Sequence, residues 1–263
     1  MDETRGQQSG VGGAGAGAVA LVGSGEYTNA MIETDSYLLG TLGGPEAARV
    51  ALLPTASGLE PESPRYWNDL GLKHFTALGV RDIRPTWILD AKTAHDPEQV
   101  RLLEGASFYY LSGGNPAHTI HSLRGTPAWD VMERAHARGA VLAGCSAGAM
   151  ALAGATAHLR TLLSGGRADW LEGLGAAPRL VVFPHFDRVF GAVSAAALRT
   201  HLLTVPARRI AVGIDEDTAL VRIEAPDTPD GTARWRAMGR QTVTVFHRDA
   251  LAQILRAGEE ITL

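Results

Sequence analysis

The chain of 263 residues has very little cysteine, since Cys145 is its only one. A single cysteine excludes an intramolecular disulfide and a metal site built from several thiolates. The nine histidines show no metal-ligand spacing. The chain also lacks a Walker phosphate-binding pattern, and the turn at Gly23–Gly25 lacks the later glycine and the downstream acid of a dinucleotide fingerprint. We therefore predict that the protein uses no metal and no organic cofactor.

An excess of positive charge and a long apolar run are also missing. Lys and Arg number 24 against 28 Asp and Glu, which gives a formal net charge of -4. Such a balance offers no electrostatic footprint for nucleic acid or for an anionic membrane surface. No apolar run approaches the roughly 18 residues of a membrane-spanning helix, and the N-terminus lacks the basic start and apolar centre of a signal peptide. We therefore expect a cytoplasmic protein without a nucleic-acid or membrane partner.

The composition favours a globular chain with a sizeable core, because 45% of the residues are hydrophobic and 20% are charged. Residues 1–17 are an exception. They are first polar and then rich in glycine and alanine, which is typical of a flexible tail. No internal repeat and no interdomain linker follow, so we predict one domain over residues 18–263.

Short apolar runs alternate with helical stretches in the first part of the chain. We predict strands at 18–22, 50–53, 80–88, 107–111 and 140–143, and helices at 29–42, at 65–79, from Asp96, and up to about 138. This alternation indicates an α/β fold, with a mostly parallel sheet and helices on both faces. Ligands of such sheets bind beyond the carboxyl ends of the strands. The turns at Gly23, Gly113 and Gly144 should therefore share one edge.

The pattern changes after residue 148. We predict a strand at 180–183, a helix at 190–204, and successive strands at 209–214, 218–223, 232–237 and 241–246, with a hairpin loop at 227–231. Successive strands without helices between them favour antiparallel pairing. We therefore expect an antiparallel C-terminal extension of the same sheet.

The segment Gly144–Gly148 reads Gly-Cys-Ser-Ala-Gly, between an apolar run and an alanine-rich run. A G-x-S-x-G pattern between a strand and a helix is typical of a nucleophile elbow. Glycines are needed there because the sharp turn packs backbone against backbone. Ser146 would then lie at a helix start, where negative charge is stabilised. The alternative is an ordinary turn of small residues.

A nucleophilic serine needs a base, and the base needs an acid that orients it. Among the histidines, His185 directly follows the predicted strand 180–183 and so lies on the expected active edge. Two acids could orient it. Glu216 follows an apolar strand within three adjacent carboxylates, which are costly without partners. Asp187, two residues beyond His185, is the second candidate, although it could instead pair with Arg188 on the surface.

The segment Ser112–Asn115, Ser-Gly-Gly-Asn, offers backbone N–H groups without Cβ obstruction. With the N–H of Ala147, the residue after the serine, it could form an oxyanion hole. A plain strand-to-helix turn is the alternative, with Asn115 as the N-cap and Pro116 as the first helical residue. Both interpretations can hold together.

Four segments in this order carry a family resemblance, namely Ser112–Asn115, Gly144–Ala149, Pro184–Phe186 and Gly213–Ala219. From about residue 18 to 246 the chain resembles the peptidase E and cyanophycinase family of serine peptidases. These proteins share the class I glutamine-amidotransferase-like fold. The resemblance implies a Ser-His-Glu triad and two oxyanion positions, at Ser146, His185 and Glu216 and at Gly114 and Ala147.

The sequence departs from both branches of this family. Asn115 is similar to the peptidase E form of the glycine loop, whereas Ile214–Ala219 is more similar to cyanophycinase. Of the arginine cluster that follows the histidine in cyanophycinase, only Arg188 is present. Because a guanidinium binds a carboxylate through two hydrogen bonds, we predict that Arg188 or Asn115 contacts an acidic group of the substrate. Asp187 is a further candidate substrate-binding residue.

We therefore predict a serine hydrolase of peptidase type, which cleaves an amide bond in a small peptide through an acyl-enzyme. The resemblance implies a peptide with an acidic or isoaspartyl residue. A cyanophycinase-like exopeptidase, a non-peptide amidase or esterase, and a catalytically idle binding module on the same scaffold are the alternatives. The sequence leaves open whether the protein is a homodimer.

Overall fold

The computed structural model describes residues 15–157, 169–189, 195–226, 228, 231–247 and 251–263. Most of the predicted tail, and residues 227, 229 and 230 of the predicted hairpin loop, lie outside these ranges. At the end of the tail segment, the N–H of Gly17 donates to the carbonyl of His136 at 2.9 Å.

Eight α-helices lie in the described part of the chain. They are α1 (Ile32–Gly40), α2 (Ser63–Ala77), α3 (Pro97–Leu103), α4 (Pro116–Leu123), α5 (Pro127–His136), α6 (Ala147–Leu152), α7 (Phe186–Val189) and α8 (Ala195–Thr204). The start of α3 shows the expected cap, because the carboxylate of Asp96 accepts from the N–H of Glu98 at 2.9 Å. Helix α8 agrees with the predicted helix at 190–204 only from residue 195, and residues 190–194 are not described.

The strands of the described ranges form two sheets. They are β1 (Val19–Val22), β2 (Arg49–Leu53), β3 (Asp82–Pro85), β4 (Phe108–Leu111), β5 (Val141–Cys145), β6 (Ala153–Ala157), β7 (Trp170–Glu172), β8 (Ala177–Phe183), β9 (Ile210–Ile214), β10 (Thr218–Glu224), β11 (Arg234–Gly239), β12 (Thr242–Phe246), β13 (Gln253–Arg256) and β14 (Glu260–Thr262).

The first sheet has the strand order β14-β11-β10-β1-β5-β4-β2-β3 in the described chain. Strands β1, β5, β4, β2 and β3 are parallel, and β10, β11 and β14 add antiparallel pairs beside β1. The mostly parallel sheet is therefore confirmed. Strand β5 lies between β1 and β4, with Gly144 opposite Leu21 and Leu111. The turns after these three strands meet at one edge, as expected.

Helices cover both faces of this sheet. Leu21 and Tyr109 pack into a cluster with residues of α4 and α5, whereas Ala20 and Tyr110 pack on the opposite face with residues of α1 and α2. Successive strand residues point to opposite faces, so a strand buried on both sides has no polar alternation. This explains why the central strands are continuous apolar runs.

The second sheet corrects the expectation of a single extended sheet. Its order in the described ranges is β13-β12-β9-β8-β6-β7, so the C-terminal strands divide between two sheets. Helix α6 ends at Leu152, and the next residues form β6, which sequence reasoning missed. A Cβ on Gly154 would lie 2.0 Å from the carbonyl oxygen of Pro178. This close backbone approach allows β6 to pair with β8 and to start the second sheet.

A buried arginine joins the first sheet to the segments around it. Arg222, which is 5% exposed, donates to the carbonyl of Gly17 at 2.8 Å, to the carbonyl of Ala176 at 3.1 Å and to Nε2 of His136 at 2.7 Å. Nδ1 of His136 lies 2.7 Å from the carbonyl of Ala140. Nε2 must therefore accept and Nδ1 must donate, so the imidazole is neutral. Burial and the neighbouring Arg222 lower the pKa of His136 to about 4.

This lowered pKa predicts an acid-dependent loss of stability. Between the ordinary pKa of 6.5 and the folded value of about 4, the unfolded chain binds a proton that the folded chain excludes. The free energy of unfolding should therefore fall as the pH decreases through this window, by up to about 3 kcal/mol. Urea titrations at pH 7 and pH 4.5 measure the loss.

The matched control is His121→Gln, at an exposed histidine. This variant should lose as much free energy of unfolding between pH 7 and pH 4.5 as the native protein does. His136→Gln should remove the histidine contribution and flatten the dependence. Equal losses in both variants would contradict the assignment to His136.

Candidate active site

The backbone forms a sharp turn at Ser146, between the end of β5 and the start of α6. Ser146 has φ 50° and ψ -108°, a conformation that costs a non-glycine residue about 1–3 kcal/mol. A Cβ on Gly144 would lie 2.5 Å from the carbonyl carbon of Gly148, and a Cβ on Gly148 would lie 2.3 Å from the carbonyl oxygen of Leu111. Both glycines are therefore required, because backbones touch on each side of the serine.

Three residues from three separate segments form one hydrogen-bonded line. Oγ of Ser146 lies 2.8 Å from Nε2 of His185, and Nδ1 of His185 lies 3.0 Å from Oε1 of Glu216. A carboxylate accepts only, so Nδ1 carries the proton and Nε2 can accept from the serine hydroxyl. In this arrangement the imidazole of His185 is oriented to accept a hydrogen bond from the hydroxyl of Ser146.

The backbone turns sharply at His185 as well. The residue follows β8 with φ 50°, and its carbonyl accepts from the N–H of Arg188 at 3.0 Å and of Val189 at 2.8 Å. These bonds begin α7. The imidazole is therefore held at a strand end by a helical turn, in the position that the sequence indicates.

The two candidate acids, Glu216 and Asp187, have different hydrogen-bond partners in the structure. Asp187 does not orient His185, because its Oδ1 accepts from the backbone N–H of Glu216 at 2.9 Å. The side chain of Gln241 joins the same group, with Nε2 2.9 Å from the carbonyl of Glu216 and 3.4 Å from Oδ2 of Asp187. The carboxylate of Glu216 thus reaches the imidazole, and Asp187 fixes the backbone that carries it.

The two acids that flank Glu216 also have partners. Oδ2 of Asp215 accepts from the N–H of Thr242 at 3.1 Å and from its hydroxyl at 2.6 Å. Asp217 lies 3.7 Å from Nη1 of Arg240. The adjacent carboxylates are therefore directed to different partners, which reduces their mutual repulsion.

Arg188 contacts carboxylates of this protein. Its Nε lies 3.3 Å from Oε2 of Glu216 and 3.7 Å from Oδ2 of Asp187, while 74% of the side chain is exposed. An exposed guanidinium next to the acid of the hydrogen-bonded line remains accessible to an anionic ligand. The surface pair with Asp187 that the sequence offered as an alternative is present too.

The glycine loop after β4 exposes one particular N–H. The N–H of Gly113 donates to Oε1 of Glu26 at 3.0 Å, and the N–H of Asn115 donates to the carbonyl of Ala56 at 2.7 Å. Gly114 lies between them at φ 143°, where a Cβ would be 2.3 Å from the Ala56 oxygen. Within the described ranges, the N–H of Gly114 has no acceptor.

Asn115 and Pro116 begin helix α4 in the way that the sequence predicts. Asn115 caps α4, because its Oδ1 accepts from the N–H of His118 at 3.0 Å, and Pro116 is the first helical residue. The N–H of Ala147 begins α6 and has no acceptor among the residues described. Contact between Asn115 and a substrate stays a prediction.

Cys145 and Glu26 form a buried pair under the serine. The thiol is 0% exposed and donates to Oε2 of Glu26 at 2.8 Å. Burial, followed by the neighbouring Glu26, raises the pKa of Cys145 well above its ordinary value. The thiol is therefore a neutral donor, and the half-buried neighbour Ser146 carries the hydroxyl that lies against His185.

Sequence reasoning missed Glu26, which is 7% exposed. A signal was present, because Glu26 directly follows the glycine turn after β1 on the predicted edge. Within the described ranges, no group of three or more His, Cys, Asp or Glu side chains could hold a metal ion. None of the helices described is both long and apolar enough to cross a membrane.

Residues 19–226 match the sequence pattern of peptidase family S51. A crystal structure of a peptidase from an acI-B1 actinobacterium is 32% identical, with a TM-score of 0.79 over 95% of this chain and 98% of that one. A putative peptidase E protein from Listeria monocytogenes EGD-e is 14% identical, with a TM-score of 0.53 over 92% and 100%, and supports the fold alone. No curated protein matches the chain. The long family match and the 32% identity show that the chain belongs to peptidase family S51, a family of serine peptidases.

Proposed function

We propose that the protein is a serine peptidase that cleaves an amide bond in a small peptide through an acyl-enzyme on Ser146. The observation that carries this proposal is the line of two hydrogen bonds, 2.8 Å from Ser146 to His185 and 3.0 Å from His185 to Glu216. A nucleophile, a base within hydrogen-bond reach and an acid that orients the base are the parts that acyl transfer needs. Membership of family S51 supports the same reaction class.

The proposed reaction begins with attack of Oγ of Ser146 on the substrate carbonyl carbon, while Nε2 of His185 takes the hydroxyl proton. Glu216 stabilises the imidazolium that forms. The negative oxygen of the tetrahedral intermediate accepts from the N–H groups of Gly114 and Ala147. His185 then gives its proton to the leaving amine as the C–N bond breaks. Water attacks the acyl-enzyme by the reverse route and frees the serine.

The first prediction from the proposed function concerns the nucleophile. Ser146→Ala should lower kcat by at least about 10⁴-fold, because triad members act as a unit. Hydrolysis of dipeptides by the purified variant measures this loss. Cys145→Ser is the matched control from the neighbouring position, and it should retain activity because its hydroxyl can still donate to Glu26. Loss of activity in the cysteine variant alone would make the protein a thiol enzyme.

The second prediction compares the two acids. Glu216→Gln should lower kcat by about 10³–10⁴-fold, because the amide no longer holds the reactive tautomer of His185. Asp187→Asn should cost at most about 10-fold, because its amide oxygen can still accept from the N–H of Glu216. Steady-state kinetics of both variants measure the difference. The reverse order of effects would assign the orienting acid to Asp187.

We further propose that the substrate carries an acidic or isoaspartyl residue. Arg188 supports this proposal, because its exposed guanidinium lies beside Glu216, 3.3 Å from Oε2. Asn115 supports it too, because it directly follows Gly114. A substrate carboxylate needs a fixed donor, and a guanidinium can offer further N–H groups while it pairs with Glu216. Asp187 contributes by holding the backbone of Glu216.

The third prediction tests this specificity. Arg188→Leu should raise KM for dipeptides with N-terminal Asp or isoAsp more than for neutral ones, since a charge-assisted bond is worth about 1.5–3 kcal/mol. Arg240→Leu is the control, because Arg240 is an exposed arginine that pairs with Asp217. Equal effects of Arg188→Leu on acidic and neutral peptides would limit Arg188 to its pairing with Glu216 and Asp187.

A further inference from the structure

The proposed reaction leaves one buried carboxyl group beside Ser146 without a role. Glu26 lies in the turn after β1 and is 7% exposed. Oε1 accepts from the N–H of Gly113 at 3.0 Å, and Oε2 accepts from the thiol of Cys145 at 2.8 Å. Burying a carboxyl group is costly unless it is hydrogen-bonded. Both of its oxygens are bonded here, and both donors immediately precede a residue of the proposed reaction.

The carboxyl group joins three strand ends. Gly113 precedes Gly114 after β4, Cys145 precedes Ser146 at the end of β5, and Glu26 itself follows β1. A Cβ on Gly113 would lie 3.0 Å from Oε1 of Glu26 and 3.6 Å from Cβ of Ser146. The glycine loop is therefore packed directly between Glu26 and the serine.

The hydrogen bonds around Gly114 show what this packing does. The N–H before it, on Gly113, is held by Glu26, and the N–H after it, on Asn115, is held by the carbonyl of Ala56 at 2.7 Å. With both neighbouring peptides fixed, the orientation of the Gly114 N–H is also fixed. Glycine has little intrinsic preference that would hold φ at 143° without such bonds.

We propose that Glu26 is a positioning residue, which holds the N–H of Gly113 and with it the glycine loop, so that the N–H of Gly114 faces the oxyanion formed on Ser146. This role rests on the proposed function. Glu26 acts through the loop and does not touch the substrate. The neutral thiol of Cys145 stabilises the position of Glu26, because it donates a hydrogen bond to the carboxylate, whereas a thiolate would repel it.

The proposal has a kinetic signature. Hydrogen bonds to the oxyanion strengthen only in the transition state, so a misplaced donor lowers kcat and leaves KM nearly unchanged. Complete loss of one oxyanion donor costs about 10²–10³-fold in kcat. A displaced donor is still present, so we expect a loss of about 10–100-fold.

Two variants of Glu26 separate the effect of side-chain length from the effect of side-chain charge. Glu26→Asp keeps the carboxylate but withdraws it by one methylene from the N–H of Gly113, and it should show the full loss in kcat. Glu26→Gln keeps the length and an acceptor oxygen for that N–H, and it should remain within about threefold of the native protein. An aldehyde analogue of the peptide substrate, which mimics the tetrahedral intermediate, should bind less tightly to Glu26→Asp by the same factor as kcat falls.

The control is Asp35→Asn, at a second buried carboxyl group that lies 2.8 Å from Nε2 of His74. It should lower the melting temperature and leave kcat intact, so that a general loss of stability is distinguished from a misplaced loop. A native kcat for Glu26→Asp, a larger loss for Glu26→Gln than for Glu26→Asp, or a rise in KM without a fall in kcat would each overturn the proposal. If native turnover does not depend on Ser146, the proposed function itself is wrong.

Discussion

The close contact between backbones on both sides of Ser146 is the constraint on which the site depends. Gly144 packs on Gly148, and Gly148 packs on the carbonyl of Leu111, with no room for a Cβ at either glycine. These contacts hold β5, α6 and β4 so near to one another that the serine must take a positive φ. The same contacts bring the glycine loop after β4 beside the serine. The same packing therefore places both Ser146 and the proposed oxyanion donors.

The other half of the site comes from the second sheet. His185 follows β8 and Glu216 follows β9, and these strands are parallel neighbours with Phe183 opposite Gly213. The turn at Asp215 touches both sheets, because Asp215 binds Thr242 of β12 while a Cβ on Gly23 would strike the Asp215 carbonyl at 2.2 Å. The site therefore lies where the two sheets meet, and the contact between the sheets fixes the distance between Ser146 and His185.

The sequence predicted the residues whose position follows from local pattern. Ser146, His185 and Glu216 each come after an apolar run, so the sequence placed each of them at the carboxyl end of a strand, where ligands of α/β sheets bind. Local pattern could not reveal how the strands divide between two sheets, since that depends on pairing over long distances, such as β1 with β10. The position of Glu26 after the glycine turn was a local signal, but its bonds could not be predicted, because Gly113 and Cys145 lie 87 and 119 residues away. Asp187 was noticed, but its bond to the backbone of Glu216 depends on the fold.

Glu26 and Asp187 make the same kind of contact with the backbone. Each carboxylate accepts from a backbone N–H, on Gly113 and on Glu216, and each fixes a loop whose neighbouring group belongs to the proposed reaction. Loops after strands are the least constrained parts of an α/β sheet, whereas acyl transfer needs its groups within hydrogen-bond reach. A carboxylate from a second loop supplies the missing constraint, because it accepts a bond without adding a donor that could compete for the oxyanion. When an acidic residue lies next to such a site, the first role to test is therefore a hydrogen bond from a backbone N–H that holds a loop in place.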